Sequence, residues 1–232
     1  MKGEGVRRLG QALRQGDLAG VAILASRGTL IARMDRMLVL MSPPLDSRHS
    51  IQTTRSSDAR LTTRPALAGD LAEIVRLFPH NADRYAERMR QHDECMLILD
   101  DNDIIGMTWL GFDPDMPREL GCAIHLPGGS CWEYDTFVLA GHRKLGAFAM
   151  LMSDVFQRLA SRGIHRVFAA VAHLNDVSRA AHGRLGYTTA GVIDRYQVLG
   201  IPFWKTTDAT GLTVWRRREA GRMPVFRPER SS

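Results

Sequence analysis

The sequence predicts an α+β domain built on a mixed α/β sheet, and three observations predict it. Two apolar runs, "CMLILD" and "IIGMTWLGF", flank a polar turn at Asp100 to Asp103, the signature of a β-hairpin. After the strand "CWEYDTFVL" the apolar period becomes helical from Gly146 to Arg162, with Phe148, Met152, Val155 and Leu159 on one face. The apolar strand "HRVFAAVAHL" follows that helix. A strand–helix–strand unit set among runs of strands indicates a mixed sheet with helices.

Each further element has its own local reason. Val6 to Gln15 reads as a basic helix, and Met37 to Met41 as a strand that ends at Ser42-Pro43-Pro44. Residues 1–44 therefore read as an N-terminal extension of helix plus strand. Residues 45–60 are rich in Ser, Thr and Arg without periodicity, and read as a polar linker. The main domain is expected over residues 61–212, beginning with the short strand "RLTTRP". Asp70 followed by Glu73 resembles a capping box for a helix with Leu71, Ile74, Val75 and Phe78 as its buried stripe. Asn81 is the expected cap of a second helix to about Arg90. Beyond the hairpin, "LGCAIHL" reads as an extra strand and Pro127-Gly128-Gly129 as a turn. Gly163 suits the left-handed position after the long helix. Asn175 or Asp176 opens a short helix that stops at Gly186. "GVIDRYQVL" and "PFWKTT" close the sheet, and residues 213–232 read as a basic C-terminal tail.

Composition limits the function classes. The chain has 232 residues, 44% hydrophobic and 24% charged, values ordinary for a soluble globular protein. Its 3 cysteines, Cys95, Cys122 and Cys131, form no CxxC pair. That argues against a disulfide framework or a metal site and for a reducing, cytoplasmic compartment. No apolar run approaches the roughly 18 residues needed to span a bilayer, and Leu18 to Ala25, preceded by Asp17, is a poor signal-peptide core. A net charge of +6 favours an acidic partner: a nucleotide cofactor, a phosphorylated substrate, an acyl carrier protein or nucleic acid.

The chemistry-bearing stretch is "YDTFVLAGHRKLGAFAM". An apolar strand runs into a turn holding Arg143, Lys144, Leu145 and Gly146, and then into a helix. A helix N-terminus offers unpaired N–H groups and the positive end of the macrodipole, which suit a pyrophosphate. Gly146 permits close backbone approach, and Arg143 and Lys144 add positive charge. About thirty residues on, after a second strand, comes "NDVSRAAHGRLGY".

Val138, Arg143, Gly146, Asn175, Ser178, His182, Gly186 and Tyr187 stand at offsets that resemble the GNAT (GCN5-related N-acetyltransferase) superfamily. The likeness covers Tyr134 to Tyr187, agrees with the order of elements from Leu61, and leaves residues 1–60 outside. It implies a GNAT-like fold that binds acetyl-CoA or another acyl-CoA and transfers the acyl group directly to a primary amine of a small molecule. It implies donor contacts from Phe137, Val138, Arg143, Lys144, Leu145, Gly146, Ala147, Phe148, Ala149, Asn175 and Ser178. Two departures stand out: Phe148 where the family has Gly or Ala, and His182 where it has the Tyr that protonates the thiolate, as in members resembling phosphinothricin acetyltransferases. His182 is then the expected general acid. Glu133 and Asp135, two apart on a strand, are expected on one face as candidate bases. Trp109, Trp132, Tyr134 and His125 are expected on strands facing the acceptor, with core as their default role. Cys131 has no matched His–Asp partner in the sequence, which disfavours a covalent route. No metal is expected.

Other readings are a non-catalytic acyl-CoA-binding module, or a transferase that takes its donor from an acyl carrier protein. A nucleic-acid-associated protein is suggested only by the basic N-terminus and "WRRR" at Trp215 to Arg218, without an accompanying motif. Residues 1–60 are left to cover a sheet edge, form a homodimer contact or shape the acceptor pocket.

Overall fold

A computed structural model describes residues 2–26, 32–45, 60–91, 93–112, 115–116, 121–143, 146–209, 211, 213–217 and 225–228. The helices are α1 (Lys2–Arg14), α2 (Leu18–Ser26), α3 (Leu71–Leu77), α4 (Ala82–Arg90), α5 (Ala147–Ser161) and α6 (Asp176–Arg184). The strands are β1 (Ala32–Met41), β2 (Leu61–Pro65), β3 (Glu94–Asp100), β4 (Asp103–Gly111), β5 (Asp115–Met116), β6 (Ala123–His125), β7 (Ser130–Val138), β8 (Arg166–Ala172), β9 (Thr188–Val198), β10 (Ile201–Asp208), β11 (Thr213–Arg217) and β12 (Val225–Phe226). Nine strands make one sheet in the order β11-β10-β9-β1-β8-β7-β4-β3-β2, and β12-β6-β5 make a second. Only β7 and β8 pair in parallel within the large sheet; the strand–helix–strand unit built around α5 requires it.

The first strand is not an extension. β1 lies inside the large sheet, antiparallel to β8 over Met37–Met41 and to β9 over Ala32–Met41. Val39 is 0% exposed and joins Trp109, Trp132, Phe168 and Ile193 in the core on one face. Leu40 joins Leu151, Met152, Val155 and Phe156 of α5 in the core on the other. The "LVLM" run is apolar on both faces because both faces are covered. The helix α2 was not expected from the sequence; "LAGVAILAS" is apolar all round and shows no stripe. Asp17 opens it, accepting the Gly20 N–H at 2.9 Å. The C-terminal residues also enter sheets: β11 pairs with β10, and β12 pairs with β6 while burying Phe226.

Two expected caps are absent. The Asp70 carboxylate turns away from α3, accepting the Leu67 N–H at 2.7 Å and pairing with Arg64 at 2.6 Å. The Arg64 contact outweighs burial and holds this carboxyl down at about 2. Asn81 does not cap α4 with its side chain; its Nδ2 donates to Asp135 at 2.6 Å. Both side chains found charged partners stronger than a backbone N–H.

The place of β1 sets a stability contrast. Leu40→Ala, at 6% exposure, should cost about 2–5 kcal/mol, as for a buried leucine. Leu13→Ala, at 60% exposure on α1, should stay within about 0.5 kcal/mol. Urea midpoints at constant m-value measure both, and equal effects would contradict an integral β1.

Candidate active site

β7 and β8 pair from Ser130↔Arg166 to Glu133↔Ala169 and then part, although β7 continues to Val138 and β8 to Ala172. Each stays backed along its outer edge, β7 by β4 up to Val138 and β8 by β1 up to Ala172. The result is a wedge-shaped opening with unpaired strand edges facing each other and Glu133 at its apex. Its cause is local. Asp135 has φ +48°, a left-handed backbone at a non-glycine residue, and the β4–β7 register shifts between Met107 and Trp109. This bulge bends β7 away from β8. Gly106 accommodates it, since a Cβ there would stand 2.7 Å from the Phe137 carbonyl oxygen.

The bulge also overturns the expectation that Glu133 and Asp135 share a face. Strand alternation fails at Asp135, and the two carboxylates point to opposite sides of the sheet. Glu133, 2% exposed, faces α6. It accepts Tyr187 Oη at 2.7 Å and Thr136 Oγ1 at 2.8 Å, and His182 Nε2 lies 3.3 Å away. Thr108 Oγ1 stands 2.7 Å from Thr136 Oγ1 and extends the chain. His182 Nδ1 is 2.8 Å from the Ser178 carbonyl oxygen, so both ring nitrogens have acceptors. Burial alone would raise the Glu133 carboxyl, but the charge of His182 and bonds from His182, Tyr187 and Thr136 bring it below its ordinary value. Burial opposes charge on His182, and Glu133 together with the Ser178 carbonyl overcomes that and raises it. Each group thus favours the charged form of the other.

Asp135 faces α4 instead. It accepts Arg88 Nη1 at 2.5 Å and Asn81 Nδ2 at 2.6 Å. The Arg88 guanidinium is held over the rings of Tyr134 at 4.3 Å, Trp109 at 5.6 Å and Tyr85 at 5.7 Å. Tyr134 Oη donates to Asp93. Trp109, Trp132 and Tyr134 are core residues, and His125 on β6 is half-buried.

At the open end of β7, Gly146 takes φ +73° and opens α5 with no side-chain cap and no acidic residue in the first turn. The N–H groups of Ala147, Phe148 and Ala149 thus begin a 15-residue helix without a side-chain partner. Arg143 folds back and donates from Nε to the Val138 carbonyl at 2.9 Å. Lys144 and Leu145 lie outside the described residues. The Phe148 ring leans on His182, centroids 5.2 Å apart, and Phe137 stacks on Phe78 at 6.0 Å. At the end of β8, Asn175 Oδ1 accepts the Ser178 N–H at 3.1 Å and caps α6. All three cysteines are buried, and burial raises their thiols, that of Cys122 to about 12. None is poised as a nucleophile. Thr136, Tyr187, Asn81 and Arg88 complete the two clusters; the sequence singled out Asn81 only as a helix cap and Tyr187 only by its place in the pattern, and gave no signal for Thr136 or Arg88.

Strands that splay past an apex, one leading into an uncapped helix and the other into an Asn-capped helix, define the acyl-coenzyme A N-acyltransferase fold. The profile of the acetyltransferase (GNAT) family matches residues 65–187, more than half of the chain, and the chain belongs to that family. Its members use an acyl-CoA as donor. Among solved structures it is similar to a Drosophila protein at 16% identity and TM-score 0.50, covering 83% of this chain and 58% of that one. It is similar to a Novosphingobium aromaticivorans protein assigned to the GNAT family at 14% identity and TM-score 0.51, covering 70% and 63%. It is also similar to the glucosamine N-acetyltransferase region of a fungal multi-domain β-N-acetylglucosaminidase, at 16% identity and TM-score 0.51, covering 68% and 20%. The chain thus spans less than two thirds of the length of these proteins, and the likeness speaks for the fold. No curated protein matches the sequence. Among the described residues no helix is long and apolar enough to cross a membrane, and no three metal-ligating side chains cluster.

The buried pair generates a pH test. A raised His182 contributes stability fully below its unfolded value near 6.5, lost as pH rises through the folded value. A lowered Glu133 contributes stability above its unfolded value near 4.5, lost as pH falls through the folded value. The pair is worth most between those two unfolded values. In Glu133→Gln, burial of His182 is opposed only by the Ser178 carbonyl. Its ring titration by NMR should therefore move downward, and an unmoved titration would refute the pairing.

Proposed function

We propose that the protein is an N-acyltransferase that moves an acetyl or similar acyl group from acyl-CoA directly to a primary amine of a small molecule, in the cytoplasm. The observation that carries this is the uncapped N-terminus of α5 beside the β7–β8 opening. Its free N–H groups and dipole suit the donor's pyrophosphate, and the unpaired edges of β7 and β8 suit the amides of the pantetheine arm. Phe137, Val138, Arg143 to Ala149, Asn175 and Ser178 are the donor-side residues in this reading, Asn175 doubling as the α6 cap.

The amine nitrogen bonds to the acyl carbon as the carbon–sulfur bond breaks. The thiolate takes a proton from His182, which sits at the apex of the opening with its Nε2–H on a long bond to Glu133. The attacking amine loses one proton to solvent, and His182 regains one between turnovers, so protons balance. Glu133 acts through His182 as a positioning residue. It accepts three donors and sits below its ordinary range, which makes it a poor base. Asp135, bound by Arg88 and Asn81, is likewise a positioning group, fixing the wall on the α4 side.

The test is acetyl-CoA binding and thiol release with an amine panel, with product mass as the second readout. Gly146→Asp places a carboxylate where the pyrophosphate would lie, and should weaken acetyl-CoA binding more than tenfold. Its thermal midpoint should fall only modestly, since the left-handed backbone costs an Asp about 1–2 kcal/mol and a carboxylate at a helix N-terminus offsets part of that. His182→Gln should lower turnover about 100-fold or more and spare donor binding. Unchanged turnover would remove His182 as the acid, and wild-type protein that fails to bind acetyl-CoA would remove the donor reading.

A further inference from the structure

The face of the opening on the β7 side is filled by Phe137, Tyr134 and the Asp135–Arg88 pair. On the β8 side only Ala170 and Ala172 stand on that face, and beyond them lies a cavity of about 210 Å³. Ala172, the last residue of β8, borders both the opening and the cavity. Neighbouring strands lie about 4.8 Å apart, so the cavity starts one strand away from where the acyl carbon would lie.

Its surface is divided. The floor is apolar: Met37 of β1, its register partners Ile193 and Ala172, and Ile23 of α2 and Leu174 above them. The charged lining is Arg33, Asp35, Arg36 and Arg195. Arg36 is bound in a two-point pair to Asp194 at 2.5 and 2.8 Å. Arg33 pairs with Asp35 at 3.1 Å. Arg195 is exposed and stands opposite Asp35 in the β1–β9 register, but makes no hydrogen bond or ion pair among the described residues, the Asp35 carboxylate being taken by Arg33. A second polar group is also unmatched. His173 lines the cavity, its Nε2 faces both Asp17 oxygens at 2.9 and 3.0 Å, and its Nδ1 is buried without a partner. With the proton held on Nε2 by Asp17, Nδ1 keeps a lone pair for an N–H donor.

We propose that this cavity receives the acceptor, and that it selects a primary amine carrying one carboxylate beside an apolar group. The carboxylate lies on the Arg195 guanidinium, the apolar part on Met37 and Ile193, and the amine toward Ala172 and the opening. With Arg33 and Arg36 paired to Asp35 and Asp194, the Arg195 guanidinium leaves the lining one positive charge in excess, which matches a monoanion, and its planar fork matches a carboxylate. A polycationic amine would meet an arginine rim. The assignment rests on the transfer reading above, in which the acyl group lies in the β7–β8 opening.

The experiment separates the two. Acetyl-CoA affinity is measured first, by calorimetry, on wild type and Arg195→Gln. Protein loaded with CoA is then titrated with matched probes: L-leucine, L-phenylalanine and 6-aminohexanoate, each against its carboxamide. Wild type is expected to bind at least one carboxylate at least tenfold tighter than its carboxamide. Arg195→Gln is expected to erase that difference, Arg195→Lys to keep part of it, and both to bind acetyl-CoA as wild type does. Carboxamides that bind as well as carboxylates, no binding by any carboxylate, or an Arg195→Gln protein that keeps the preference each overturns the proposal. So does an Arg195→Gln protein that instead loses acetyl-CoA affinity, which would place the arginine on the donor. Wild-type protein that binds no acetyl-CoA overturns the transfer reading itself.

Discussion

The left-handed backbone at Asp135 is the constraint on which the rest of the site depends. It ends the pairing of β7 with β8, opens the wedge, and reverses the alternation of side chains along β7. Such a conformation at a residue with a Cβ costs about 1–2 kcal/mol, so something must hold it. Arg88 and Asn81 do so by gripping the Asp135 carboxylate from α4 and the turn before it. On the β4 side, Gly106 supplies the missing Cβ that lets the Phe137 carbonyl turn inward. The opening is therefore built into the strand order and does not require a ligand to part the strands.

The bulge also separates two buried charges that would otherwise repel. On the α6 face, Glu133 is compensated by His182 and saturated by hydroxyl donors. On the α4 face, Asp135 is compensated by Arg88 inside an aromatic cage. A buried carboxylate without such partners would protonate or unfold the region. Each cluster thus pins one face of β7 to a different helix, and the rigidity of the apex follows from both. The His182–Glu133 pair lies on the α6 face, and the α4 face is made of rings and a neutralised ion pair.

Much of this was legible in the sequence, and the part that was not has identifiable physical reasons. Local signals found the β3–β4 hairpin, α5 with its uncapped start and the Asn175 cap, because each depends on residues close in sequence. The position of β1 was hidden, since a central strand and an appended one share the same apolar run; only long-range pairing distinguishes them. The helix α2 lacked a stripe to reveal it. The Glu133–Asp135 spacing read as one face because a period of two assumes regular backbone, and nothing in "WEYDTF" announces a bulge. Asp70 and Asn81 have good capping chemistry, yet Arg64 and Asp135 outbid the helix ends with charge.

The two departures from the family pattern turn out to be one. Phe148, at a position usually small, and His182, at a position usually Tyr, touch each other at 5.2 Å between ring centroids. Imidazole is smaller than phenol, and the Phe148 ring occupies volume beside it that a larger side chain at 182 would need. Tyr187 closes the other side edge-on at 5.0 Å, and Glu133 and the Ser178 carbonyl fix both ring nitrogens. A histidine held on every side keeps one rotamer, as the role proposed for it requires. The bulk of Phe148 is thus directed at α6. Its backbone N–H still belongs to the uncapped first turn of α5.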